Sequence, residues 1–231
     1  MKFKPPFSTN LDEKIEQLKF VIQNLEAVYG VPRNTCHDDP LDELISTILS
    51  QSTTNVNSDR AFAGLKKRFP NWELVRRARS TSIALAIKSG GLANLKSVVI
   101  KNILNEVLAR RGNLDLSFLK IDPVDEAWRF LISLKGVGPK TAACVLLFSC
   151  QRQVFPMDTH IFRITRRLGI VPEKISDEQG HELMERLIPP EKHYSLHINL
   201  IVHGRKICLA RNPKCGQCAL IEQCEYGQSL I

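Results

Sequence analysis

Phe130–Phe148 reads FLISLKGVGPKTAACVLLF, and the fold turns on this stretch. An apolar helix end meets Gly136-Val137-Gly138, then Pro139, then a second apolar helix. Two glycines one residue apart let a backbone turn tightly and come close to another backbone or to an anion. Amide groups at the start of the second helix, with the helix dipole, make a cradle for a negative group such as phosphate. A helix C-cap followed by a tight turn accounts for the same residues in purely structural terms. The lysine at the helix entrance, Lys140, and the basic chain around it favour the anion reading.

Outward from this hairpin the pattern is helical on both sides. Asn10 with Glu13 resembles a capping box, and apolar residues from Leu11 to Val28 recur at helical spacing until Gly30. Asp39-Pro40 starts a second helix, and a third runs from about Val56 to Phe69, stopping at Pro70. Short helices are predicted over Glu73–Arg79 and Ser82–Lys88. After Gly90-Gly91 a longer helix passes through Leu95, Val98, Val99, Ile103 and Leu108 to end near Gly112. Further helices are predicted at Asp125–Leu134, Thr141–Ser149, Thr159–Leu168, Asp177–Leu187 and Lys192–Ile207. No hairpin signal and no two-residue alternation stands out, so the class is all-α.

The chain has 231 residues, 43% hydrophobic and 24% charged, the balance of a folded globular protein. Its formal net charge of +8 favours polyanionic partners, because each neutralised phosphate releases counterions. The longest apolar run, Ala142–Phe148, is far short of the ~20 residues that cross a bilayer. MKFKPPFSTN lacks the apolar core of a secretory signal. The expected setting is therefore intracellular and reducing, cytoplasm or nucleoid, with no membrane partner. In that setting seven cysteines, four of them crowded near the end, read as metal ligands rather than disulfides.

Two further motifs carry chemistry. Lys140, at the entrance of a helix, can serve as a nucleophilic amine that attacks a sugar carbon and forms a Schiff base. Its structural alternative is a lysine that contacts phosphate or keeps the helix soluble. Eighteen residues on, in Pro156-Met157-Asp158-Thr159-His160-Ile161-Phe162-Arg163, Asp158 stands where a helix begins. It can be an N-cap, a carboxylate that activates an amine or water and stabilises positive charge, or both. His160 is expected to be structural. Cys208, Cys215, Cys218 and Cys224 follow the spacing C-x6-C-x2-C-x5-C, close enough for one tetrahedral or cubane centre. Spacing alone leaves zinc and iron–sulfur both open. Cys36, Cys144 and Cys150 lack such company, and the last two read as buried core thiols.

LKGVGPKTA, then MDTHIFR, then the four cysteines, in that order, resemble the endonuclease III branch of the helix–hairpin–helix DNA glycosylases, over roughly Leu41 to the C-terminus. The resemblance implies a two-lobed all-α fold with DNA in the cleft. A six-helix lobe over 42–152 would contain the hairpin, and 1–41 with 153–231 would form a second lobe holding a [4Fe–4S] cluster on the four cysteines. It implies Lys140 as the Schiff-base lysine, Asp158 as the catalytic aspartate and Gly136, Val137 and Gly138 as the phosphate-binding turn. Leu92, in GGLANLK, matches the wedge that fills the space left by a flipped base, and Gln51 in LSQSTT matches the residue that meets the orphaned base. Bacterial relatives usually place that glutamine at the position of Ser52. Lys135 and Pro139 stand where the family frequently has Pro and Arg.

The implied activity is a base-excision DNA glycosylase with abasic-site lyase chemistry on oxidised pyrimidines in double-stranded DNA, acting as a monomer. Asn113–Pro172 also looks similar to plant 5-methylcytosine glycosylase domains. Modified or mismatched pyrimidines, or abasic sites alone, are therefore alternative substrates. A non-catalytic module that binds damaged DNA is the alternative from another class.

Overall fold

A computed structural model describes residues 11–35 and 39–231, so Asn10 of the expected capping box and Cys36 lie outside the described residues. The α-helices are α1 Leu11–Tyr29, α2 Pro40–Ser50, α3 Asn55–Arg68, α4 Trp72–Arg77, α5 Ser80–Ala86, α6 Ala93–Arg111, α7 Val124–Ser133, α8 Pro139–Cys144, α9 Thr159–Arg167, α10 Asp177–Leu187, α11 His193–Lys206 and α12 Glu225–Gln228. The described residues contain no strand, and no helix among them is long and apolar enough to cross a membrane.

The chain divides into two compact units, one over Asn34–Arg152 and the other formed by Met1–Arg33 with Gln153–Ile231. The first seam falls at Arg33–Asn34, earlier than the expected 41–42. Asn34 already belongs to the middle unit, because its side-chain amide donates to the carbonyls of Leu147 and Phe148 at 3.0 and 2.9 Å. Leu41 is fully buried there.

In the middle unit α2 packs on α3 and α8, and α5 on α6. Asp39 caps α2 by accepting from the Leu41 amide at 2.7 Å, and Pro40 occupies the first turn, where no intrahelical donor is lost. Leu41, Leu44, Ile45, Ile48 and Leu49 then form a buried face. Apolar periodicity is less faithful in α6. Ile100, Ile103, Leu104 and Val107 are buried, whereas Leu95 and Val98 are exposed and Lys96 is buried. The helix expected over Thr141–Ser149 changes hydrogen bonding midway. After α8 the backbone widens into a π-turn, Val145–Ser149, with the Cys150 amide reaching the Val145 carbonyl at 3.3 Å. That carbonyl also accepts from the Ser149 hydroxyl at 2.7 Å, a side-chain competitor that periodicity does not register. Cys144 and Cys150 are buried thiols, as expected.

In the other unit Leu18, Val21, Ile22 and Leu25 of α1 share a core with Phe155, Ile161 and Ile164 near α9 and Leu196 and Leu200 of α11. Val28, counted in the α1 periodicity, is exposed. This core fixes α9, and with it Asp158.

Candidate functional site: a helix–hairpin–helix lysine, a capped aspartate and a four-thiol cradle

The hairpin begins where α7 ends. Gly136 has φ +98°, and a Cβ built on it would lie 2.7 Å from Val99 Cγ1 of α6. Both the conformation and the space require glycine. Gly138 is different: its φ is −100°, and a Cβ there would meet nothing within 4 Å. Val137 between them is buried. Gly138 is the N-cap of α8 and supplies no side-chain cap, so the helix entrance offers its first amides and its dipole to a ligand.

These two glycines should respond differently to an added methyl group. Gly136→Ala is expected to lower unfolding free energy by about 1–3 kcal/mol, from left-handed strain plus the Val99 contact. Gly138→Ala is expected to leave urea-unfolding midpoints nearly unchanged, since a Cβ there meets nothing within 4 Å.

Lys140 is half-buried in the first turn of α8. The next residue, Thr141, is buried, and its Oγ1 accepts from Gln51 Nε2 at 3.3 Å. The exposed C-cap residue of α2 therefore rests on the helix that carries Lys140. Leu92 is the N-cap of α6, held at φ +48° and ψ 34°, and is 57% exposed. A leucine kept in the left-handed region with its side chain in solvent is a poor choice for stability. Sequence periodicity passed over Lys96, which is 3% exposed. Its Nζ donates to the carbonyls of Leu49, Gln51 and Gly90 at 2.7, 2.7 and 2.8 Å. Burial lowers its pKa.

In the other unit Asp158 is the N-cap of α9, and its Oδ1 accepts from the Ile161 amide at 2.9 Å. Asp158 is half-buried. The preceding residue is held as well: the Met157 amide donates to His181 Nε2 at 3.0 Å. Because an amide can only donate, Nε2 is the bare nitrogen. The proton therefore sits on Nδ1, which donates to the Asp177 carbonyl at 2.7 Å. Burial pushes the pKa of His181 below its ordinary 6.5. The neutral ring favours the folded state, so this stability is complete above pH 6.5 and is lost as pH falls through the lowered folded-state value. Urea titrations should show the chain less stable at pH 5 than at pH 7.5, and His181→Gln, whose amide oxygen can still accept from Met157, should reduce that difference. His160 Nδ1 lies 3.0 Å from Arg163 Nη2.

Cys208, Cys215, Cys218 and Cys224 line one common space with Ile207, Pro213, Ile221 and Gly227. A Cβ on Gly227 would stand 2.8 Å from Ile221 Cδ1 and 3.4 and 3.6 Å from the Cys224 and Cys215 sulfurs. Donors converge on the sulfurs: Leu220 N on Cys218 at 3.4 Å, Gly227 N on Cys224 at 3.3 Å and Arg167 Nη1 on Cys208 at 3.3 Å. His203 Nε2 lies 3.5 Å from Cys218 Sγ, and its Nδ1 is 3.1 Å from the Tyr29 hydroxyl. Burial, opposed by the Leu220 N–H and reinforced by the neighbouring cysteines, pushes the Cys218 thiol up to about 11. Among the described residues no three His, Cys, Asp or Glu close around a single ion. Four thiolates on one zinc would hold their sulfurs about 3.8 Å apart.

Residues 45–190 match the HhH-GPD superfamily base excision DNA repair proteins, and the chain belongs to that family. Within it the likeness is to endonuclease III. That of Sulfolobus acidocaldarius is 32% identical over 215 residues, 92% of this chain and 90% of the relative. A candidate DNA glycosylase of Arabidopsis thaliana is 47% identical over 174 residues, which are 75% of this chain and 59% of that protein's length. Among solved structures, a non-covalent endonuclease III–DNA complex superposes with a TM-score of 0.80, covering 94% of this chain and 97% of that one at 24% identity, a likeness of fold.

Proposed function

We propose that the chain is a bifunctional DNA glycosylase and abasic-site lyase acting on damaged pyrimidines, oxidised ones first, in double-stranded DNA. The observation that carries the reading is Lys140, half-buried in the first turn of an α8 entrance that has no side-chain cap, on a turn whose Gly136 admits no other residue.

The open face at Gly138 and the α8 amides take a phosphate of the DNA backbone. The target nucleotide leaves the stack, at a cost of a few kcal/mol that damage reduces. Leu92 and Gln51 occupy the space it vacates. The Lys140 amine then attacks C1′, and the bond from C1′ to the base nitrogen breaks, with its electron pair leaving on the base. Asp158 is assigned the stabilisation of the positive charge that builds on the sugar, and the proton lost from the lysine nitrogen passes to water. The sugar ring then opens: the C1′–O4′ bond breaks, its electron pair stays on O4′, which takes a proton, and C1′ and the lysine nitrogen form an iminium. Loss of a 2′ proton from that iminium expels the 3′ phosphate, which nicks the strand. Hydrolysis of the imine frees the enzyme.

The four thiols suit a [4Fe–4S] cluster. They line a common space with Arg167 and Lys214, N–H donors approach the Cys208, Cys218 and Cys224 sulfurs, and the two cations would balance a negative cluster. The cluster would hold the Cys208–Cys224 loop in place. Anaerobically purified protein is expected to be brown and to contain about four iron atoms per chain. A colourless protein with one equivalent of zinc would reverse this assignment.

The function itself is tested on a panel of duplexes, each with one lesion, scored separately for base release and strand cleavage. The expected result is base release from an oxidised pyrimidine, with borohydride trapping the protein on the nicked strand. Release without trapping would remove the lyase. Tight binding without release would leave a DNA-binding module.

A further inference from the structure

We propose that Lys96 is a positioning residue that locks Gln51 and Leu92 into a single rigid DNA-probing unit. This rests on the roles proposed above for those two side chains. An ammonium has three protons, and all three are committed. Two go to the Leu49 and Gln51 carbonyls at the end of α2, where helix geometry leaves carbonyls without partners. The third goes to Gly90, at the close of the short turn before Gly91 and Leu92. Lys96 itself stands one turn into α6, and its amide donates to the Leu92 carbonyl at 2.9 Å. One side chain thus ties together three points of the backbone that flank both probing residues.

The same two loops carry the strain. Ser52, immediately after Gln51, has φ +53°, and Leu92 has φ +48°. Neither residue is glycine, so each conformation must be held by its surroundings. Packing supplies part of the restraint: a Cβ on Gly90 would lie 3.1 Å from Ala61 Cβ and 3.7 Å from the Leu49 carbonyl oxygen. Directional bonding between the loops comes from the ammonium. A lysine serving only to solubilise α6 would be exposed, and one serving only to cap α2 would not reach Gly90. The arrangement makes the placement of one probe depend on the placement of the other, so that both enter the duplex together.

Amide hydrogen exchange tests the clamp without requiring activity. In the wild-type chain, the amides of 51–53 and of 90–92 are expected to open together, with one free energy and one denaturant dependence. Lys96→Met, which keeps the length of the side chain and removes the donors, should speed exchange in both segments by tenfold or more. Lys96→Gln, shorter and with two donors, is read in the same way should the Met variant fail to fold. Independent opening in the wild type, or a variant that loosens only one segment, would overturn the proposal.

The functional arm uses duplexes with 2-aminopurine opposite an abasic site. Lys96→Met should lose the fluorescence change and at least tenfold more trapping rate on duplex than on single-stranded abasic DNA, where no gap needs filling. In a chain already carrying Gln51→Ala and Leu92→Ala, adding Lys96→Met should change duplex trapping less than twofold; full additivity would show that Lys96 does not act through them. Failure of the lyase reading is separately visible, as a wild-type chain that forms no adduct. The exchange data then still decide the clamp.

Discussion

Lys140→Gln eliminates the borohydride-trapped adduct with abasic duplex DNA and lowers strand cleavage by on the order of 10³-fold or more, while DNA binding falls less than tenfold. The expectation follows from what the substitution removes and what it leaves. Glutamine keeps a polar side chain of similar reach in the first turn of α8 but has no amine to attack C1′. Gly136, Val137 and the Gly138 amide approach are untouched, since none depends on the lysine side chain. The duplex is therefore still gripped, and the loss is confined to chemistry. Base release measured by itself separates two cases. If release falls with cleavage, the lysine is the glycosylase nucleophile; if release survives and only the adduct vanishes, water attacks the sugar and lysine acts afterwards. An adduct that persists in Lys140→Gln would end the assignment.

Asp158→Asn lowers base release by about 10²–10⁴-fold with little change in thermal stability. Its oxygen holds the Ile161 amide at 2.9 Å, so removal of the side chain would damage α9 as well as the chemistry. Asparagine is as good an N-cap as aspartate but carries no charge. Asp158→Ala should cost about 1 kcal/mol of stability in addition to the activity. Activity that falls equally in both variants, with stability lost only in Ala, attributes the catalytic defect to the missing negative charge. An Asn variant as active as the wild type would reduce Asp158 to a cap. Because Lys140 and Asp158 are proposed to act on one reaction, the double variant should be scarcely slower than the worse single one.

Much of the site was legible in the chain itself. Glycine spacing with a lysine after proline, an aspartate at a helix start and four clustered cysteines are local patterns, and local patterns survive without knowledge of packing. The helices other than the one-turn α12 were legible for the same reason, with ends shifted by a residue or two where capping decides the boundary, the C-terminal end of α8 excepted. Periodicity misled where function interrupts burial. Leu95 and Val98 fit an apolar helix face yet point to solvent, while Lys96, two residues from Val98, is buried. The π-turn after Cys144 was invisible because it depends on one hydroxyl competing for one carbonyl.

By itself the sequence determined the all-α class, the hairpin, the capped aspartate and the crowded thiols, because each rests on residue types within a few positions of one another. Only the tertiary structure decided that Gly136 is enforced by Val99 while Gly138 stays open, that Gln51 rests on Thr141, and that one ammonium gathers carbonyls from residues 49, 51 and 90. Those facts are distances between residues far apart in the chain. Close packing sets such distances, and no local propensity encodes them.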